Sequence, residues 1–326
     1  MKSSIKESPL FWPAYLEGAT LFVLDETLIP SKFHYVKVRN TKEAVSVIRQ
    51  MKTRAFGQFL VVLNTFLLEI ERAKTFAPKK FLAQIHKTAT ALNNSRPTFP
   101  FSEVTGIVVG WANEALAKGE DAPLYVKKNI FGYLMGIRER RLGRVRQLAS
   151  ILQNDDSILT HCNVSGELAM AAALCKQEGK KIRVFATETR PYLQGGRLTV
   201  WELKRLGVDV TLIADNAVGS LMADGLVNKV VVGSDRSCAN GDFANKIGTY
   251  QIAVLAREFG IPLYVLTQPS NRIPTGADIP IEIRDANELL KFGNRRIVPG
   301  KVKGFYPGFD VVCHELITEP IAINVR

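Results

Sequence analysis

Residues 230–252, from Val230 to Ile252, read VVVGSDRSCANGDFANKIGTYQI, an apolar strand running straight into Gly233-Ser234-Asp235-Arg236. A small-residue loop, Ser237 to Gly241, follows, and the pattern then predicts a helix opening at Asp242 with Asn245 and Lys246 in its first turns. The carboxyl end of a buried strand, followed by a helix N-terminus, is where open α/β sheets bind ligands. Such a helix end offers N–H groups and a positive dipole to an anion. Asp235 stands where strand becomes loop, behind Val230, Val231 and Val232. A carboxyl group against apolar neighbours is held partly neutral and can donate a proton. Acid, anion cradle and cation share one short stretch, which is the pattern of an active site.

The same strand-then-helix rhythm extends over the second half of the chain, from about residue 157. A strand at Ile158-Leu159 precedes a helix over 166–177, a strand over 182–186 precedes one from about 198 to 206, and a strand over 208–213 precedes one over 218–226. The strand over 229–233 leads into the helix expected over 242–259, and a strand over 263–267 follows. Continuous apolar strands alternating with helices predict a buried parallel sheet. The expected fold class is therefore α/β, with a Rossmann-like parallel-sheet C-terminal domain. No GxGxxG is present, so a dinucleotide site is unsupported.

Before residue 157 the periodicity differs. From about 22 to 38, Phe22 alternates with Leu24, Phe33 with Tyr35 and Val36 with Val38, on either side of Ile29-Pro30-Ser31. That pattern predicts a β-hairpin. Helical spacing follows over 41–51, 58–74, 79–93 and 101–116, broken by Ala77-Pro78 and Asn94-Ser95-Arg96-Pro97 among others. A further helix is expected from about 126 to 153. The expected organisation is a smaller, mainly helical N-terminal domain carrying a short β-hairpin (1–125), a connecting helix (126–156) and a catalytic domain (157–326).

Composition narrows the function classes. The 326 residues are 46% hydrophobic, enough for two domains with proper cores. The four cysteines form no CxxC pair and no framework, which points to a reduced, cytoplasmic protein without a thiol zinc site. His34, His86 and His314 are scattered without metal-ligand spacing, so neither metal nor cofactor is expected. The start, MKSSIKESPLFWP, lacks the apolar core of a signal peptide. The longest apolar stretch, residues 59–68, is too short to span a bilayer and predicts a buried helix. Formal net charge is +12. The densest basic segment, 138–148, spaces Leu142, Val145 and Leu148 helically and reads as a solvated helix face. Without aromatic interleaving or a groove-reading motif, nucleic acid is not the expected partner. A small phosphorylated substrate needs only two or three of these cations.

Other strand ends are chemically loaded. After Ile158-Leu159-Thr160 come His161-Cys162-Asn163, then Ser165-Gly166 opening a helix. A thiol at a helix N-terminus is favoured as thiolate, available as base or nucleophile. Cys162 is the candidate; Cys175 and Cys313 read as small buried hydrophobes and Cys238 as structural. The next strand ends in Glu188-Thr189-Arg190-Pro191-Tyr192-Leu193-Gln194-Gly195-Gly196-Arg197. Gln194 can donate to sugar hydroxyls or phosphate. Arg190 and Arg197 either neutralise substrate charge or sit in surface ion pairs.

Four long motifs, THCN (Thr160 to Asn163), ETRPYLQGGRLTVWEL (Glu188 to Leu203), GSDRSCANGDFANKIGTYQIAVLA (Gly233 to Ala256) and YPGFDV (Tyr306 to Val311) with Glu315-Leu316-Ile317-Thr318, resemble one family. It comprises methylthioribose-1-phosphate isomerase, ribose-1,5-bisphosphate isomerase and the regulatory alpha, beta and delta subunits of initiation factor 2B. Leu24-Asp25-Glu26-Thr27-Leu28-Ile29-Pro30 is similar to the N-terminal signature of the methylthioribose-1-phosphate isomerase branch.

The resemblance implies an aldose-ketose isomerase acting on a pentose 1-phosphate, usually a homodimer, with a catalytic cysteine at Cys162 and aspartate at Asp235. It further implies substrate binding by Gln194, Asn245, Lys246, Arg96 (of Arg96-Pro97-Thr98) and the loop at Arg54-Ala55-Phe56-Gly57. That loop departs from the family's Arg-Gly-Ala-Pro. Ala55 and Phe56 stand where glycine and alanine let backbone approach substrate, so the 5-substituent is in question. The expected substrate is 5-methylthioribose 1-phosphate or a related 5-substituted or 5-deoxy pentose 1-phosphate. The alternatives are a non-catalytic regulatory or sugar-phosphate-binding paralogue like the initiation factor 2B subunits, and a ribose-1,5-bisphosphate isomerase. Keeping both Cys162 and Asp235 favours catalysis.

Overall fold

The computed structural model describes residues 5–97, 99, 101–268 and 272–322. The chain packs as two units, one of residues 9–139 and one of residues 5–8 with 140–322.

In the first unit, β1 (Ala14–Glu17), β2 (Thr20–Leu24) and β3 (Tyr35–Val38) form an antiparallel sheet in that order. The hairpin read from Phe22 to Val38 is present as β2–β3, with Leu24 opposite Tyr35. β1 was not anticipated. AYLE carries no strand pattern of its own, and its pairing depends on the tight turn at Gly18, whose φ of 56° suits glycine. Four helices follow: α1 (Thr41–Arg49), α2 (Ala55–Ala73), α3 (Pro78–Asn93) and α4 (Phe101–Lys118). α1 starts where Asn40 accepts the Glu43 N–H at 2.9 Å, and Pro78 opens α3. The long apolar run is indeed a buried helix. Residues 60–68 of α2 are all buried, with Leu60, Leu63 and Phe66 fully so, and they form the core with Phe81, Ile85 and Phe101.

α5 (Ala122–Ile151) contains the division between the units, after Glu139. Beyond it the chain alternates: β4 (Asp156–Thr160), α6 (Glu167–Gln177), β5 (Ile182–Thr187), a π-helical turn (Gly195–Thr199) continuing as α7 (Val200–Arg205), β6 (Asp209–Ile213), α8 (Val218–Ala223) and β7 (Lys229–Gly233). β8 (Arg236–Ser237), β9 (Phe243–Lys246), α9 (Thr249–Glu258), β10 (Leu263–Thr267), α10 (Asn287–Leu290), the small hairpin β11 (Lys291–Phe292) and β12 (Arg295–Arg296), β13 (Phe309–Val312) and β14 (Glu319–Ala322) complete it. The main sheet is parallel throughout, in the order β14-β10-β7-β4-β5-β6, and Val230, Val231 and Val232 lie fully buried in it.

The charge run on α5 corrects the expectation of a solvated face. Arg146 is exposed, but Arg141 and Arg144 are buried and converge on buried Glu167 at the start of α6. Arg141 Nε donates to Glu167 Oε1 at 2.6 Å, and Arg144 Nε to Oε2 at 2.6 Å. The guanidiniums continue outward, Arg141 to the Ser165 carbonyl (2.8 Å) and Arg144 to the Thr267 carbonyl (2.6 Å). Helical charge spacing reads as solvated until a buried carboxylate 23–26 residues away supplies the partner. Burial by itself would raise the Glu167 carboxyl, but Arg144 and Arg141 outweigh it and hold it below its ordinary value. Removing one member leaves uncompensated buried charge. Glu167→Ala should therefore cost about 3–5 kcal/mol of stability, measured as a lowered midpoint of urea unfolding.

Candidate active site

Winding direction decides where this site lies. From β4 the sheet grows through β5 and β6 on one side and through β7, β10 and β14 on the other. The reversal between β4 and β7 is the crevice in which doubly wound sheets bind ligands. Cys162 follows β4 by two residues, Asp235 follows β7 by two, and Gln194 lies in the loop after β5. Three adjacent strand ends therefore carry the three candidates. The β7 end also touches the Cys162 loop, because a Cβ on Gly233 would lie 3.1 Å from Val164.

Cys162 is buried and held in a left-handed turn, φ 66°. It does not open a helix: α6 begins at Glu167, behind Gly166. Hydrogen bonds set its backbone instead. Its N–H donates to Thr189 Oγ1 at 3.0 Å, and its carbonyl accepts from Thr199 Oγ1 at 2.6 Å. Neighbouring His161 bridges Thr187 Oγ1 (2.7 Å) and the Ile247 carbonyl (2.8 Å). A carbonyl only accepts, so Nε2 carries the proton and Nδ1 accepts from Thr187. Burial lowers the His161 pKa, which keeps the ring neutral in this role. Tyr306, given no role from sequence, is buried and interacts electrostatically with Cys162; burial pushes its phenol up to about 12, so it is neutral.

Asp235 departs from expectation. It is exposed beyond the buried valines, because its N–H donates to the Ala244 carbonyl at 2.9 Å and draws it into the β8–β9 ladder. Asn245 and Lys246 are likewise not helical. They lie on β9, which pairs antiparallel with β13, and the helix starts at Thr249 behind Gly248 (φ 103°). Long-range pairing with residues 309–312 overrides the local pattern. Both side chains are buried: Asn245 Nδ2 donates to Thr249 Oγ1 (3.0 Å), and Lys246 Nζ donates to the Gly308 carbonyl (3.1 Å) over the Phe309 ring. The N-terminus of α9 is no open anion cradle. Asp310 Oδ2 accepts from the N–H groups of Gly248 (2.6 Å) and Tyr250 (3.0 Å), so the chain supplies its own anion there.

Gln194 is buried, and its amide oxygen has no hydrogen-bond partner among the described residues. Gly195 explains the turn that presents it: a Cβ there would lie 1.8 Å from the Thr187 carbonyl oxygen, so only glycine fits. Arg190 and Arg197 lie over the rings of Phe292 and Tyr192.

The remaining candidates belong to the first unit, around the start of α2. Arg54 is the N-cap residue, Ala55 and Phe56 open the helix, and no side chain caps it. Arg54 Nε donates to Glu26 Oε2 at 2.8 Å, and Thr53 Oγ1 donates to Glu26 Oε1 at 2.5 Å. Glu26, in the N-terminal signature, thus fixes Arg54, a link that no local pattern signals. Arg96 Nη1 donates to Gln58 Oε1 at 3.0 Å, one turn into the same helix. Two guanidiniums therefore flank the start of α2, where the Glu26 carboxylate already accepts the Arg54 N–H at 3.3 Å. The Phe56 ring packs on Trp12 and Phe59, with centroids 5.6 and 5.9 Å away.

A model of the initiation factor 2 subunit family matches residues 58–322. The chain belongs to that family. It is 38% identical to the methylthioribose-1-phosphate isomerase of Desulforudis audaxviator (strain MP104C), over 93% of this chain and 90% of that one. It is 37% identical to the 5-deoxyribose 1-phosphate isomerase of Moorella thermoacetica (strain ATCC 39073 / JCM 9320), over 95% and 91%. Among solved structures, 5-methylthioribose 1-phosphate isomerase from Pyrococcus horikoshii OT3 superposes with a TM-score of 0.84 at 30% identity, covering 98% of this chain and 94% of that one. The delta subunit of translation initiation factor eIF-2B from A. fulgidus gives 0.80 at 31%, covering 96% and 94%.

The loop where the helix was expected has its own family-sized anchor. Asp242 accepts from Asn240 Nδ2 (2.8 Å), the Gly276 N–H (3.0 Å), and both the N–H and Nδ1 of His314 (2.9 Å each). Burial works against its ionisation, but these hydrogen bonds prevail and hold the carboxyl well below its ordinary value. A depressed carboxyl contributes stability above the unfolded pKa of about 3.9 and loses it as pH falls below that value. Tm should therefore fall more steeply for wild type than for Asp242→Asn below about pH 4, with the gap between them closing in acid.

Proposed function

We propose that this chain isomerises a pentose 1-phosphate to the ketose 1-phosphate, with 5-methylthioribose 1-phosphate or a 5-deoxy or otherwise 5-substituted analogue as substrate. The observation that carries this reading is the placement of Cys162, Asp235 and the buried, unpartnered Gln194 amide oxygen on neighbouring strand ends at the reversal of the sheet. The names of relatives aligned over nearly the whole chain support the same reaction class.

An aldose 1-phosphate has no free aldehyde, so its ring must open first. Asp235 is assigned the proton that goes to the ring oxygen. The C1–ring-oxygen bond breaks, its electron pair and the new proton become the C4 hydroxyl, and C1 becomes doubly bonded to its phosphate-bearing oxygen. C1 then gains a hydrogen from C2 while the C2 hydroxyl gives its proton to the carboxylate that Asp235 became on ring opening, which yields the ketone and restores the acid. Cys162 serves as the base that carries the C2 proton, or shields a direct hydride shift. Arg54 and Arg96 are assigned phosphate charge, and Gln194, Asn245 and Lys246 substrate oxygens.

A homodimer in the cytoplasm is part of the proposal. Supporting the dimer are the exposed Tyr250 and Val254, one turn apart on α9. No helix among the described residues is long and apolar enough to cross a membrane.

Cys162→Ser and Asp235→Asn should each lower turnover by roughly 10²–10⁴-fold while leaving Tm nearly unchanged. Near wild-type turnover in either variant would sink the assignment. Turnover in deuterated water that places deuterium in the product indicates proton transfer through the base.

Substrate preference gives a second test. The side chains of Ala55 and Phe56 reshape the start of α2, and an apolar pocket discriminates by about 1–3 kcal/mol per methylene. Ala55→Gly with Phe56→Ala should change the kcat/KM ratio of methylthioribose 1-phosphate to 5-deoxyribose 1-phosphate by roughly ten- to a few hundred-fold. Unchanged ratios would show that this loop does not set specificity.

A further inference from the structure

Asn163, Thr199 and Glu202 have no part in the chemistry above, yet they are buried or half-buried polar groups packed against it. Their hydrogen bonds close without a spare proton. Thr199 Oγ1 donates its one proton to the Cys162 carbonyl (2.6 Å) and accepts from Asn163 Nδ2 (3.0 Å). The second Nδ2 proton goes to Glu202 Oε1 (2.7 Å), and Asn163 Oδ1 accepts the Ser165 N–H (3.0 Å). Glu202 Oε2 accepts from Ser8 Oγ (2.7 Å). Every orientation is therefore determined: reversing the Asn163 amide would set its oxygen against a carboxylate.

This network joins two loops with different duties. On one side is the turn of Cys162 (φ 66°) to Ser165 (φ 51°), a conformation side-chain-bearing residues adopt at some energetic cost. On the other is the π-helical turn Gly195–Thr199 that directly follows Gln194. Such turns commonly mark functional positions. The loops meet a second time at Thr189, whose Oγ1 accepts the Cys162 N–H and would lie 2.8 Å from a Cβ on Gly195. Cys162 is thus gripped at both its N–H and its carbonyl by the segment that carries Gln194.

We propose that Asn163, Thr199 and Glu202 are positioning residues that set Cys162 in register with Gln194, so that the reacting thiol and the substrate-binding amide move as one rigid piece. The proposal rests on the isomerase reading. A catalytic group misplaced by about 1 Å costs on the order of 10²-fold in rate, so the network's effect belongs in kcat. Thr199→Val keeps the shape and removes the hydroxyl; kcat should fall by about 10²-fold with KM nearly unchanged, beyond the modest loss of Tm that the unpaired Cys162 carbonyl and Asn163 amide bring. Thr199→Ser should recover most of that loss.

The reciprocal exchange is the second arm. Asn163→Asp sets one carboxylate against another and should lower kcat, and adding Glu202→Gln restores a donor–acceptor pair and should recover much of it. This pair also decides the matter if Thr199→Val does not fold. Cys162 alkylation by iodoacetamide, followed by mass spectrometry across pH, supplies a readout independent of turnover. The Asn163→Asp profile should shift and return in the double variant. Wild-type protein inert on all pentose 1-phosphates would refute the isomerase reading, while the alkylation profiles would still judge the network. Variants with wild-type kcat and wild-type Cys162 labelling would overturn the positioning proposal. So would losses that track Tm and are not recovered by the exchange.

Discussion

Reversal of winding between β4 and β7 is the constraint on which the C-terminal unit depends. A parallel sheet cannot be joined by tight turns, so each strand returns through a crossover and leaves its carboxyl end at the same edge. Where the order turns back on itself, two neighbouring loops diverge and open a crevice. Asp235 and Cys162 flank that crevice, and Gln194 lies on the next strand end along. Burial of Glu167 with Arg141 and Arg144 ties the same edge down from beneath, through carbonyls at Ser165 and Thr267. That three candidate residues stand on adjacent strand ends is thus a consequence of strand order, and the polar side chains around them refine the placement.

Much of this was legible in the sequence, and the failures share one cause. β7 and β10 lie where the apolar runs at 229–233 and 263–267 put them, and α1 to α5 follow the helical spacing to within a few residues, because those signals are local. Residues 243–246 carry nothing local that says strand. Their partner, 309–312, lies more than sixty positions away, so they were read as the opening of a helix that begins at Thr249. β14 and β1 escaped notice for the same reason, since EPIA and AYLE become strands only through their neighbours.

The electrostatics divide in the same way. Counting charges along α5 suggested a wet face, yet Arg141 and Arg144 point at a carboxylate from another helix. Asp235 looked buried beside three valines but is exposed, because side chains just past a strand end follow the loop and not the strand. The α9 N-terminus looked open to phosphate and is occupied by Asp310. Cys162, Asp235 and Gln194 are legible from residue type at strand ends, and Arg54, Ala55, Phe56 and Arg96 only from the family resemblance; their partners Glu26, Thr189, Thr199 and Asp310 needed three dimensions.

The hydrogen bond between Ser8 and Glu202 has a bearing on how the chain comes to be folded. It joins residues 194 positions apart, and residues 5–8 pack with a unit whose other members begin at 140. The unit of residues 9–139 is continuous and leaves the ribosome before residues 140–322, at roughly 5–20 residues per second, so it can complete its core while they are still being made. Ser8 emerges well before Glu202, its partner in this bond. That bond can form only once α7 has been synthesised, so the network around Asn163 closes when an early stretch of the chain meets a later one.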